Sequence, residues 1–146
     1  MKTMHANLLE IREYTGPGYR PLIDYACWRV AIMNYLDELH PDHIATVERH
    51  TASDEVFVLL QGEGVLFVGA GEPGLDSLAP QRMEIGRLYN VKRGAWHTIV
   101  LSLDASVLLV ENNDTGPANT EHSGLRPEHQ DLIRATARRE LACWRV

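Results

Sequence analysis

The sequence predicts an all-β protein, an antiparallel sandwich or barrel, with one helix added at its C-terminal end. Its apolar residues fall in short runs that are bounded by turn-forming residues, as in antiparallel sheets. Residues 27–36 alternate clearly, with Trp28, Val30 and Ile32 on one face and Arg29, Ala31 and Met33 on the other. The 146 residues suffice for a single domain with one core, and we place the barrel at about residues 25–112.

The strand candidates follow one another at short intervals. They are the runs at residues 8–11, 27–36, 46–50, 56–60, 65–68, 83–91, 97–103 and 106–110. Between two of them, residues 62–64 (Gly-Glu-Gly) have the composition of a tight hairpin turn. Residues 112–126 are polar and predict a long connection to the helix.

A helical spacing of apolar residues occurs only near the end of the chain. Pro127 is well suited to the first position of a helix. The residues that fall near one face of this helix are Leu132, Ile133, Thr136, Ala137 and Leu141. We therefore predict an amphipathic helix at about residues 127–141 that lies on the outside of the sheet.

Composition excludes some classes of partner. The formal net charge is -6, and the few basic residues are scattered, which argues against nucleic acid or an anionic membrane as a partner. The N-terminal segment lacks the features of a signal peptide, and no apolar run approaches the ~20 residues of a membrane span. The two cysteines show no CxxC spacing. We expect a cytoplasmic protein whose partner is a small-molecule ligand.

Charged groups and an imidazole stand before a very apolar strand in ERHTASDEVFVLLQGEG, residues 48–64. Residues two apart on a strand share a face, so Glu48 and His50 point together while Arg49 points away. If the next strand pairs antiparallel with this one, Glu55 can lie beside them at its start. These groups could bind a divalent transition metal. The alternative is an exposed sheet edge, or an ion pair between Arg49 and a glutamate.

A second segment ends in another histidine, His97, at the mouth of an apolar strand. Together the two segments resemble the two conserved motifs of the cupin superfamily. They read Glu48-x-His50-x4-Glu55-x6-Gly62 and Gly86-x5-Lys92-x-Gly94-x2-His97-x3-Leu101. All spacings are kept over residues 46–110, but Glu48 replaces a histidine, Lys92 a proline and Leu101 an asparagine. The change at Glu48 matters most because that position holds a ligand in the family.

The resemblance implies a double-stranded β-helix, or jelly-roll barrel, with metal ligands inside it. By position, the candidate ligands are Glu48, His50, Glu55 and His97. Imidazole and carboxylate donors suit Mn, Fe, Ni or Zn. Alternatively His50, Glu55 and His97 alone hold the metal, and Glu48 is a general base. A barrel that binds a small molecule without metal is the third possibility.

The function that these features favour is a metal-dependent enzyme acting on a small polar metabolite, such as a sugar or a carboxylic acid. Glu48 or Glu55 would move a proton in an isomerase, epimerase or lyase reaction, and an oxygenase is the variant if the ion is iron. The alternative is a non-catalytic small-molecule binding cupin. Arg29 could reach an anionic substrate or form a surface ion pair. His122 and His129 lie in polar segments and are expected to face solvent.

Assembly is the remaining expectation. Cupin-like barrels commonly pair through their outer sheet faces, and Trp28, Val30 and Ile32 form an apolar stripe that could serve. We therefore expect a homodimer, unless the C-terminal helix covers this stripe.

Overall fold

The computed structural model describes residues 7–145, which form two five-stranded antiparallel sheets and one α-helix. The strands are β1 (Gly18–Tyr25), β2 (Trp28–Asn34), β3 (Thr46–His50), β4 (Glu55–Gln61), β5 (Gly64–Ala70), β6 (Ser77–Arg82), β7 (Leu88–Val91), β8 (Trp96–Leu101), β9 (Ser106–Asn112) and β10 (Thr120–Gly124). The helix α1 is Pro127–Glu140. The first sheet has the order β1-β2-β9-β4-β7 and the second β10-β3-β8-β5-β6. This architecture confirms the predicted jelly-roll barrel with a C-terminal helix.

The predicted strands differ from the observed ones mainly at the sheet edges. The apolar run at residues 8–11 forms no strand, and three of its side chains are exposed. The edge strands β1, β6 and β10 carry mostly polar or exposed residues and were missed. Few residues of an edge strand contact the core, so apolar and polar residues alternate only weakly along it. Residues 112–126 thus contain a strand, and the sheets extend beyond residues 25–112.

The turn at residues 62–64 does not close a hairpin. Strand β4 pairs with β7 and β9, whereas β5 pairs with β6 and β8, so this turn carries the chain from one sheet to the other. Gly62 has a φ of 75°, and a Cβ there would lie 2.6 Å from Ala105 Cα. In the sequence, a turn that closes a hairpin cannot be distinguished from a turn that crosses between two sheets. The difference depends on the pairing partners of the two strands, which lie in distant parts of the chain.

The interior of the barrel is filled by alternate residues of both sheets. Ala31 is fully buried there, and Trp28 on the opposite face of β2 is 40 % exposed. This confirms the alternation predicted for β2. The larger side chains of the inner core are Phe57, Leu59, Leu66, Ile99, Leu101, Val107 and Leu109.

Helix α1 packs on the outer face of the second sheet. Ile133, Ala137 and Leu141 are fully buried, and they share a cluster with Phe67 and Val100 of that sheet. Pro127 begins the helix as predicted, and the helix ends one residue earlier than expected, at Glu140. Because α1 lies on the second sheet, the outer face of the first sheet is not covered by it. No helix within residues 7–145 is both long and apolar enough to cross a membrane.

We expect Ile133→Val to lower the free energy of unfolding by about 1 kcal/mol, since it removes one buried methylene group beneath α1. Urea unfolding followed by circular dichroism would measure this change. Asp131→Ala, on the exposed side of the same helix, is the control and should change stability by less than about 0.5 kcal/mol. Equal effects of the two variants would contradict the observed packing of the helix.

Candidate metal centre

The four residues singled out in the sequence lie together inside the barrel. Strand β3 pairs with β8 so that Glu48 is directly opposite His97. His50 ends β3 and Glu55 begins β4, which returns along the facing sheet. Glu55 Oε2 lies 2.8 Å from His50 Nε2 and 3.2 Å from His97 Nε2. Glu48 Oε1 lies 3.9 Å from both of these nitrogens.

These side chains differ in exposure. His50, Glu55 and His97 are buried, whereas the Glu48 side chain is 43 % exposed. Arg49 points to the other face of β3, as alternation predicted. There it pairs with Glu72 and Glu121 and lies over the Trp96 ring. The ion pair considered as an alternative therefore exists, but on the outer face, and it leaves the inner cluster without an arginine from this strand.

The protonation of the cluster follows from its contacts. Burial alone would raise the pKa of Glu55, but the His50 hydrogen bond and the close imidazole of His97 outweigh it and lower the pKa to about 2. Burial opposes the charged form of His50, yet Glu55 and Glu48 raise its pKa above the ordinary value. Both shifts favour the charged forms of Glu55 and His50 over their neutral forms.

Hydrogen bonds orient both imidazoles. His50 Nδ1 lies 3.0 Å from Thr120 Oγ1, and His97 Nδ1 lies 3.1 Å from the Ala95 carbonyl oxygen. A carbonyl oxygen can only accept, so His97 carries a proton on Nδ1. When neutral, His97 therefore presents the lone pair of Nε2 toward Glu55. Histidines that bind metals in proteins are commonly oriented in this way.

The cluster fits a divalent metal ion. His97 Nε2 is buried and has no hydrogen-bond partner within residues 7–145. Ligand atoms of Glu48, His50 and His97 lie within 4.8 Å of one another. Around an octahedral ion with bonds of about 2.1 Å, ligand atoms lie about 3 Å apart when adjacent and about 4.2 Å apart when opposite. The observed separations of 2.8 to 3.9 Å are close to this range.

Tyr19 and Glu111, for which the sequence predicted no role, also line the site, together with Arg29. Glu111 of β9 is buried opposite Arg29 of β2, and its Oε1 accepts hydrogen bonds from Tyr19 and Arg29. Burial raises the pKa of Tyr19 to about 12 and raises that of Glu111 above its ordinary value. Val107 and Leu109 face the interior of the barrel, and the same alternation two residues further along β9 predicts that Glu111 also faces inward. Arg29 thus pairs with an internal carboxylate, although Asp24 also lies 3.6 Å away.

A cavity of about 770 Å³ opens onto this cluster. That volume is in the range of small-molecule sites in proteins. His122 lies exposed at its rim, 3.6 Å from Glu48 Oε2. His129, which was expected to face solvent, is instead buried at the start of α1 beside Arg126 and the Asp76 carbonyl. Apolar side chains, among them Met33, Phe57, Ile99 and Leu109, also line the cavity, together with further polar residues such as Thr46 and Thr98.

Comparison with solved structures agrees with this architecture. Hydroxypropylphosphonic acid epoxidase from S. wedmorenis superposes with a TM-score of 0.50 at 16 % identity, over 64 % of this chain and 49 % of its own. A cupin-2 domain protein from Shewanella frigidimarina gives 0.45 at 15 % identity, over 68 % of this chain and 85 % of its own. Oxalate decarboxylase from Bacillus subtilis has a TM-score of 0.46 at 16 % identity, over 65 % of this chain and 23 % of its own.

At these identities the likeness concerns the fold alone. The chain spans about half the length of the epoxidase and about a quarter of the decarboxylase. No protein-family model and no curated protein sequence matches it. The two sheets, their strand order and the likeness to the epoxidase together show that the chain has the cupin-type jelly-roll fold.

Proposed function

We propose that the protein binds a divalent metal ion inside the barrel through His50, Glu55 and His97 and acts on a small polar metabolite. The observation that carries this proposal is the buried Nε2 atom of His97, which has no hydrogen-bond partner within residues 7–145 and lies 3.2 Å from Glu55 Oε2. Glu48 is either a fourth, weaker ligand or the group that moves a proton. The metal is Mn, Fe, Ni or Zn.

The exposure of each carboxylate indicates its role in the proposed reaction. A bound metal would polarise a carbonyl or hydroxyl oxygen of the ligand. Glu55 is buried between two imidazoles and holds them in place. Glu48 reaches the cavity with a half-exposed carboxylate, so it is better placed than Glu55 to accept or return a proton. This arrangement supports isomerase, epimerase or lyase chemistry on a sugar or a carboxylic acid.

Iron would instead support an oxygenase. One neighbour with the same fold, HppE, has been solved in its Fe(II) form with an alternative substrate, at a TM-score of 0.50. Iron therefore belongs in any panel of candidate metals for this chain, together with manganese, nickel and zinc. Thermal-shift screening of metal-loaded protein against sugars and carboxylic acids would then identify the class of ligand.

A second candidate is a small-molecule binding protein without metal. The observation that favours it is the contact of Glu55 Oε2 with both imidazoles, at 2.8 and 3.2 Å, since these groups can stabilise the buried carboxylate without a cation. Elemental analysis of purified protein separates the two candidates. Stoichiometric metal supports the enzyme, and its absence after reconstitution with each of the four ions would favour the metal-free binding protein.

We also propose that the protein is a homodimer that associates through the outer face of the first sheet. Strand register aligns apolar residues into two rows across this face: Val30, Val110 and Val56 in one row, and Ile32, Leu108, Val58 and Leu88 in the other. Continuous apolar surfaces of this kind mark protein interfaces.

A cytoplasmic location and the absence of nucleic-acid and membrane partners remain predictions from composition.

Leu108→Glu is expected to convert the dimer to a monomer, because Leu108 lies between Ile32 and Val58 in the middle of this face. Light scattering at micromolar concentration would measure the mass, and circular dichroism would check the fold. Leu103→Glu, in the exposed turn before β9, is the control and should leave the dimer intact. A wild-type mass equal to one chain would exclude the dimer.

A further inference from the structure

Glu111 lies in the cavity but belongs to neither of the two motifs that brought the other residues together. We propose that Glu111 is an additional metal ligand beside His50 and Glu55, and that Tyr19 and Arg29 position it. This inference rests on the metal centre proposed above and extends its ligand set to a second strand of the first sheet, β9.

Strand register places the two buried carboxylates face to face. Strand β4 pairs with β9 so that Val56 is opposite Val110, and the next position sets Glu55 opposite Glu111 on the inward side. Ligand atoms of His50, Glu55 and Glu111 lie within 4.8 Å of one another, and all three residues are buried. Like charges directly opposite on neighbouring strands repel each other. A cation between them would replace that repulsion with two attractive contacts.

The hydrogen bonds of Glu111 leave one oxygen free. Oε1 accepts from the Tyr19 hydroxyl and lies 3.4 Å from Arg29. Within residues 7–145, Oε2 accepts no hydrogen bond, although the residue lines the cavity. Arg29 is itself held by the Asn113 carbonyl oxygen. A carboxylate that is fixed through one oxygen and open at the other is a pre-oriented ligand.

Charge balance agrees with this assignment. The two groups of candidate ligands contain three carboxylates, from Glu48, Glu55 and Glu111, and Arg29 adds one guanidinium. With neutral imidazoles these groups sum to a charge of -2, which a divalent ion neutralises. Glu48 is half exposed, and its Oε2 lies 3.6 Å from His122 at the rim, so Glu111 is the better-fixed of the two additional carboxylates.

Cobalt(II) is a suitable probe because its visible absorption reports its ligands, and it can be added alone to metal-free protein. Glu111→Gln keeps the shape of the side chain and an oxygen for Tyr19 and Arg29, but it removes the charge. We expect this variant to bind Co²⁺ about 10- to 100-fold more weakly than wild type and to show a changed absorption spectrum when saturated. Glu84→Gln, an exposed surface glutamate, is the control and should match wild type in both measurements.

The outcomes separate this inference from the proposed metal centre. If wild type binds no Co²⁺, the metal centre itself is wrong. If wild type binds Co²⁺ and His50→Ala does not, but Glu111→Gln matches wild type, only the assignment of Glu111 is overturned. Weaker binding with an unchanged saturated spectrum would also overturn direct coordination. If Glu111→Gln fails to fold, Glu111→Asp tests the same point, because it keeps the charge but withdraws the oxygens, and it too should shift the spectrum.

Discussion

His50→Ala and His97→Ala are each expected to abolish stoichiometric metal binding. Both imidazoles present Nε2 to the same Glu55 oxygen, at 2.8 and 3.2 Å, so each variant removes one of the most closely placed donors. A site that loses a neutral nitrogen donor binds transition metals much more weakly. Elemental analysis after gel filtration would measure the metal content, with less than about one tenth of wild-type occupancy expected.

Three further variants sharpen this result. His122→Ala removes an exposed imidazole at the cavity rim and should keep full occupancy. Glu48→Ala should weaken binding less than either histidine variant, because the buried ligands remain. Glu48→His restores the residue type that the cupin motif has at this position and should retain or strengthen binding. Full occupancy in both histidine variants would show that the metal lies elsewhere, and loss of binding in Glu48→His would show that Glu48 does not occupy the first ligand position.

Metal-free protein is expected to lose about 3 kcal/mol of stability through Glu55 alone as the pH falls from about 5 to about 2. The folded protein holds the pKa of Glu55 at about 2, against 4.5 for the free side chain. Between these values the unfolded chain binds more protons than the folded chain, so acid favours unfolding. The contribution is complete above the unfolded pKa and is lost as the pH approaches the folded one.

Glu55→Gln tests this directly, since an amide does not titrate. Urea unfolding of EDTA-treated protein at pH 6, 4 and 3 should show a smaller loss of stability in Glu55→Gln than in wild type. Glu84→Gln, whose carboxylate lies on the surface, should follow the wild-type curve. If wild type and Glu55→Gln lose stability in parallel over this range, then His50 and His97 do not stabilise the Glu55 carboxylate in the way that the distances indicate.

The amino-acid sequence was sufficient for those features that depend on neighbours along the chain. Alternation showed that Glu48 and His50 share one face of β3 and that Arg49 lies on the other. The same argument placed Ala31 inside the barrel and Trp28 outside it. Helical periodicity after Pro127 predicted α1 to within one residue at its end. In each case the side-chain direction follows from the backbone period alone.

Only the tertiary structure decided which distant strands meet. The turn at Gly62 crosses between sheets because β4 finds its partners in β7 and β9, far along the chain. The polar edge strand β10 brings Thr120 to His50, although no periodicity marks it as a strand. Glu111 and Arg29 enter the site through the register of β9 with β2 and β4. Register is set by the packing of whole faces, and two carboxylates 56 positions apart in the sequence therefore become neighbours only when the barrel closes.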